Sequence, residues 1–166
     1  EDGSDALVEG VLQLKVKNAG SSDFKVLFIR LTDGKGNEFV FDLSTVLSGE
    51  TTVVLEKNRA LYEDLKGEPE SFEFSAENVA IFDEKPSVHS ETLAFLVMGN
   101  KLQIMNSGAN DLTNVCVYYK NYADDVAQGG ITYRVVIPEL AAGTTAEVST
   151  AHYRTGASRF LFATYE

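Results

Sequence analysis

The chain has 166 residues, 44% of them hydrophobic, with a formal net charge of −11 and a pI near 4.6. That apolar fraction supports a packed core and excludes a disordered chain. The negative field repels phosphate backbones and acidic lipid, which disfavours nucleic-acid binding by counterion release and docking on an anionic membrane.

The length suits one large domain or two small ones. The single cysteine, Cys116, can form no internal disulfide and allows no cysteine-based zinc cluster. Its place in an alternating apolar run predicts a small buried hydrophobe. No apolar run approaches the roughly 20 residues of a membrane helix. The acidic start, Glu1-Asp2-Gly3-Ser4-Asp5, reads as a linker that follows a removed targeting segment.

From the N-terminus, Leu7–Lys17 is an extended run with Val8, Leu12, Leu14 and Val16 apolar. Asn18-Ala19-Gly20-Ser21-Ser22-Asp23 is turn chemistry, since Gly supplies positive φ and Asn and Asp bond nearby backbone. Phe24–Leu31 and Glu38–Leu43 flank Asp33-Gly34-Lys35-Gly36-Asn37, a hairpin signal. Thr51–Glu56 is rich in β-branched residues and predicts a strand. Over Asn58–Lys66 a possible Asn cap, Leu61 and Leu65 at i and i+4, and Gly67 beyond predict one short helix. Ser71–Ser75 and Asn78–Phe82 read as two short strands, and the polar stretch Asp83–Glu91 as a linker.

The second half predicts strands at Leu93–Met98, Lys101–Asn106, Thr113–Lys120 and Ile131–Ile137, the last ended by Pro138. Asn121–Gly130 reads as a loop between the last two. Thr144–Ser149 and Ser158–Tyr165 complete the set, the dense apolar run of the final strand suggesting a central place in its sheet.

The halves echo one another without a gap. Asn18 and Asn106, Val16 and Ile104, and Ile29 and Val117 are each 88 positions apart. Leu47-Ser48-Gly49 is mirrored, at a longer offset, by Leu140-Ala141-Ala142-Gly143. This period exceeds the ~20–50 residues of solenoid repeats. It predicts an all-β chain of two tandem immunoglobulin-like β-sandwiches, over residues 6–86 and 92–166, with the short helix inserted in the first.

The second copy carries Asn106, Gly108, Asn114, Val115, Val117, Tyr119, Leu140 and Gly143. The first carries Asn18, Gly20, Leu27, Ile29, Leu47, Gly49 and Glu50. This pattern resembles bacterial surface modules of the FxLYD-like and related immunoglobulin-like type. The stretches GGITYRVVI and AHYRTGASRF are similar to repeats of uncharacterised secreted proteins or lipoproteins of Gram-positive gut bacteria. The resemblance implies a non-catalytic module outside the cell or on its envelope. The first copy lacks the His-Tyr-x-x-Gly-x-Ser-Arg stretch, so whatever that stretch does is single.

Few residues offer chemistry. His152, Tyr153, Arg154, Ser158 and Arg159 cluster in sequence and could grip an anion or a sugar. The structural alternative is a packed tyrosine under arginine stems. Ser158, His152 and an acid could compose a triad, but there is no Gly-x-Ser-x-Gly elbow to expose the serine. His89 and His152 lack zinc spacing, and Asp33-Gly34-Lys35-Gly36-Asn37 is more simply a hairpin than a calcium loop. Tyr118 and Tyr119 must face opposite sides of a strand, so one of them points outward or under a loop.

The candidate binding set is therefore Tyr118, Tyr122, His152, Tyr153 and Arg159, with no catalytic or metal-binding residue and no cofactor. The expected function is a structural or adhesive interaction module with an unidentified protein or glycan partner. The rival is a carbohydrate-binding module that uses the second-copy tyrosines.

Overall fold

The computed structural model describes residues 10–88 and 92–166. Leu7, Val8, His89 and the end of the predicted linker lie outside the described residues. The strands are β1 (Gln13–Lys17), β2 (Phe24–Thr32), β3 (Glu38–Asp42), β4 (Thr51–Leu55), β5 (Glu73–Ile81) and β6 (Leu93–Met98). They continue as β7 (Lys101–Asn106), β8 (Leu112–Ala123), β9 (Val126–Gln128), β10 (Tyr133–Leu140), β11 (Thr145–Ser149) and β12 (Ser158–Thr164).

The chain divides into two compact units. The first is Glu1–Glu84 together with Ala123–Ile131, and the second is Lys85–Tyr122 together with Thr132–Glu166. The expected stretches 6–86 and 92–166 differ from these units at Lys85 and Pro86, which fall in the second, and by the excursion Ala123–Ile131, which falls in the first.

In the first unit β1 pairs with β4 and β2 with both β3 and β5, all antiparallel. β9 runs parallel to β4, with Thr51, Thr52 and Val53 opposite Val126, Ala127 and Gln128. The core joins Leu12, just before β1, and Val54 of β4 to Leu27, Leu31, Phe39 and Phe41 of β2 and β3. In the second unit β7 lies between β11 and β6, and β8 between β10 and β12. Leu102, Ile104, Val115, Val117, Tyr119, Val135 and Ile137 meet in its core. Removing each such side chain from water is worth about 1.5–3 kcal/mol, which sets the strand faces.

One hydrogen-bonded knot closes both units. Asn18 Nδ2 donates to the carbonyls of Ser22 (2.8 Å) and Val46 (3.3 Å), and its Oδ1 accepts from Gly20 N–H (3.1 Å). Asn106 repeats this with Asn110 (2.8 Å), Leu140 (3.0 Å) and Gly108 (2.9 Å). Their backbones match as well: Asn18 bonds Gly49 and Glu50, and Asn106 bonds Gly143 and Thr144. Asp23 accepts from Ser48 N–H and Asp111 from Ala142 N–H. The counterpart of Leu140-Ala141-Ala142-Gly143 is thus Val46-Leu47-Ser48-Gly49, and the sequence alignment of Leu47 with Leu140 was one residue off.

Several local expectations are corrected. No helix forms over 58–66. Glu56 Oε2 accepts from Asn58 N–H (2.7 Å) and Ala60 N–H (3.0 Å), Arg59 has φ 61°, and Leu61 bridges to Val11. What remains is a 3₁₀ turn at Tyr62–Asp64 and another at Pro69–Ser71. The two short strands at 71–75 and 78–82 are one bulged strand, β5, with Asn78 at φ 47°. The loop Asn121–Gly130 contains β9 and the end of β8.

Pro138 lies within β10, between Ile137 opposite Val115 and Glu139 opposite Thr113. Proline is tolerated there because β10 ends the strand order of its sheet. β12 flanks β8 rather than standing at the centre of its sheet. Its apolar density reflects burial of Leu161, Phe162 and Ala163 in succession.

Candidate functional site

Alternation along β8 sorts the candidate residues. Val115, Val117 and Tyr119 face the core, while Cys116, Tyr118, Lys120 and Tyr122 take the other face. Tyr118 stacks on Phe162, with centroids 4.3 Å apart and planes at 14°. The Arg159 guanidinium lies over the Tyr122 ring, 4.5 Å from its centroid. Such a stack satisfies both groups and is worth about 0.5–1 kcal/mol at an exposed site. Cys116 is half buried on this outer face, opposite Val136 and Thr164, and not the core hydrophobe expected of it.

His152 and Tyr153 belong elsewhere, in the segment between β11 and β12. His152 stacks on Tyr133, with centroids 4.7 Å apart, and Tyr133 stacks on Tyr119 at 5.2 Å. Tyr153 packs against Tyr119 at 5.4 Å and Phe160 at 5.5 Å, and Phe160 in turn stacks on Phe95 at 4.8 Å. Tyr119 OH and Thr150 Oγ1 share a hydrogen bond of 2.9 Å. Burial pushes the phenol pKa values of Tyr119 and Tyr153 above the ordinary range. The five candidates thus form two groups on opposite faces of β8: Tyr118, Tyr122 and Arg159 on one, His152 and Tyr153 on the other.

The polar atoms of the Ser158 region serve the fold. Ser158 Oγ donates to Asn121 Oδ1 and accepts from Arg154 N–H (2.8 Å). Asn121 Nδ2 donates to the His152 carbonyl (3.1 Å). The serine hydroxyl is therefore directed at an amide, and the imidazole face at a tyrosine ring. This network fastens the 150–158 segment to β8.

The Asp33 loop is similarly occupied. Asp33 Oδ1 accepts from Lys35 N–H (2.8 Å) and Asn37 N–H (3.0 Å). Its Oδ2 accepts from Asn37 Nδ2 (2.9 Å) and Lys66 N–H (2.9 Å). Desolvation raises the carboxyl pKa, but these four donors outweigh it and bring the value down to about 2. Among the described residues no three His, Cys, Asp or Glu side chains gather in a metal-binding group. No described helix is long and apolar enough to cross a membrane.

Sequence reading passed over the exposed apolar side chains of β5. Phe74 is 58% exposed, and Val79 and Ile81 are exposed with it. Phe72 packs against the core and Phe74 does not, and nothing local in Ser71–Ser75 distinguishes the covered ring from the bare one. Comparison with protein-family models, curated proteins and solved structures gave no match to this chain.

Proposed function

We propose that the chain is a non-catalytic structural or adhesive interaction module of a bacterial cell-surface protein, built as two tandem immunoglobulin-like sandwiches and working outside the cell or on its envelope. The observation that supports this best is where the polar chemistry is spent. Asn18, Asn106, Asp23, Asp111, Asp33, Glu56, Asn121 and Ser158 all bond turn or strand backbone or one another. The side chains suited to acid–base or nucleophilic work thus hold loops to sheets. The paired knots at Asn18 and Asn106 support two units of one plan.

The test is twofold. Beads coated with the chain are expected to be retained on a surface of protein or glycan ligands, and a panel of ester, peptide, glycoside and phosphoester substrates is expected to stay unturned. Turnover that disappears in His152→Ala or Ser158→Ala would overturn the reading. Retention on glycans alone, lost in Tyr118→Ala or Tyr122→Ala, would replace the adhesive module with a carbohydrate-binding one.

A further inference from the structure

The two units share one register, and the comparison exposes a difference. Leu31 pairs with Phe39 and Phe74, and its counterpart Tyr119 pairs with Tyr133 and Phe160. Ile29 pairs with Phe41 and Ala76, and its counterpart Val117 pairs with Val135 and Ala163. Phe74 therefore occupies the position of Phe160, and Ala76 that of Ala163. The strands β1 and β7 also match, since Leu14 and Val16 lie opposite Val54 and Thr52 as Leu102 and Ile104 lie opposite Val148 and Ala146.

In the second unit β6 lies along the outer edge of β7 and covers this face. Phe95 of β6 stacks on Phe160, and Leu102, Ile104, Val117 and Ala163 are all at most 4% exposed. In the first unit β1 pairs with β4 alone among the described residues. Among the described residues the chain does not turn back before β1 as it does at Gly99-Asn100. It runs on beside 56–62, through the bonds of Leu12 with Ala60 and of Tyr62 with Gly10. The positions that β6 would cover are correspondingly bare. Phe74 is 58% exposed, Ala76 is exposed, and Leu14, Val16 and Ile29 are only partly buried.

We propose that the first unit is a strand acceptor. The slot between the outer edge of β1 and the inner face of β5 binds an extended segment of a partner polypeptide, antiparallel to β1. An open edge supplies backbone donors and acceptors to such a strand, and alternate side chains fill the face beneath it. The register of β6 says what those side chains are. Inward residues take the places of Leu93, Phe95 and Val97 and are apolar. Outward residues take the places of Ala94 and Leu96, which face Met105 and Gln103 in the second unit.

Their counterparts on β1 are Lys17 and Lys15, both exposed. In a chain of net charge −11 this is a local basic flank, so the partner strand carries carboxylates at those two places. The slot stands on register and burial, and does not depend on where the protein works.

The test titrates the full chain with three labelled peptides: the Thr92–Gly99 sequence, the same peptide with Ala94→Glu and Leu96→Glu, and a scrambled version of the second. The acidic peptide is expected to bind one to one, about tenfold or more tighter than the scrambled one. Phe74→Asp, a change at an exposed side chain, is expected to remove that difference. Lys15→Glu with Lys17→Glu is expected to reverse the preference for the acidic peptide over the parent sequence. Equal binding of acidic and scrambled peptides would overturn the proposal. So would slow exchange of the β1 amides without peptide, because the slot would then be filled by the chain itself. A dimer in sedimentation that Phe74→Asp dissociates would place a second copy there and overturn a distinct partner.

Discussion

Two asparagines and one aspartate carry more of this structure than their size suggests. Asn106 is fully buried, and its amide answers two carbonyls and one N–H, of which the bond to the Leu140 carbonyl is itself buried. Asn106→Ala leaves those groups without partners, at an expected cost of about 2–4 kcal/mol by urea denaturation, given about 1–3 kcal/mol per unsatisfied group and some relaxation. Asn18→Ala is expected to cost less, because Asn18 is 7% exposed and its bond to Val46 is longer. Asp33 behaves differently because it titrates. Its folded pKa of about 2 lies below the ordinary 3.8. Its contribution is therefore present in full above the ordinary value and is lost as pH falls from about 4 through about 2. Acid melts of Asp33→Asn should lack that part of the decline, while the neutral-pH midpoint falls.

At the scale of elements, β9 shows how close a backbone approach can be. Gly130 follows it at φ +66°, and a Cβ there would lie 2.5 Å from the Asp42 carbonyl oxygen and 2.8 Å from Val54 Cγ2. Gly143 also has positive φ, at +70°, but a Cβ would meet nothing within 4 Å. Gly143→Ala should cost about 1 kcal/mol from backbone strain alone. Gly130→Ala should cost clearly more, and should speed exchange of the Gly129 amide, which donates to Val53 O at 2.8 Å. Equal costs would mean that the approach is not tight. For β8 the expectation is sharper. Val117 is 0% exposed, so Val117→Asp buries an unpaired charge and should abolish the second unit's near-ultraviolet signal, at a cost above about 4 kcal/mol.

The same elements explain what could be read in advance. The Asn-x-Gly turns and the alternation around them were legible because their chemistry is local: Asn bonds backbone two to four residues away, and strand faces have period two. The strand β9 was hidden because Val126-Ala127-Gln128 is too short to show a period, and it is held by Thr52 and Val53, far away in sequence. The helix expected over 58–66 had the right spacing of leucines. It was overruled by Arg59 at φ 61° and by pairing with the chain before β1, which takes the Ala60 carbonyl and the Tyr62 N–H into bonds with Leu12 and Gly10. The candidate set joined a cluster in sequence, His152, Tyr153 and Arg159, to Tyr118 and Tyr122 of a distant strand. The structure divides that cluster, because Arg159 lies over Tyr122 while His152 and Tyr153 pack on the Tyr133 and Tyr119 side of β8.

For the whole molecule, charge and core placement point the same way. A formal charge of −11 on 166 residues should prevent retention on duplex DNA at physiological salt, and a retarded band in a gel shift would contradict this. The burial contrast between the units also predicts a difference in response to added strands: peptides should stabilise the first unit and leave the second, whose β6 position is already taken, unchanged.

The assignment of Ala123–Ile131 to the first unit has a practical consequence for anyone who wishes to cut the molecule in two. A protease that nicks the backbone between Glu84 and Lys85 severs one covalent link, yet the β4–β9 ladder still ties the fragments together. The nicked species should migrate as one body on a native gel and as two bands only in detergent. An expression clone that stops at residue 84 would strip β4 of a neighbour and leave Thr52, now fully enclosed, facing solvent. A separable first half would need the excursion grafted back on.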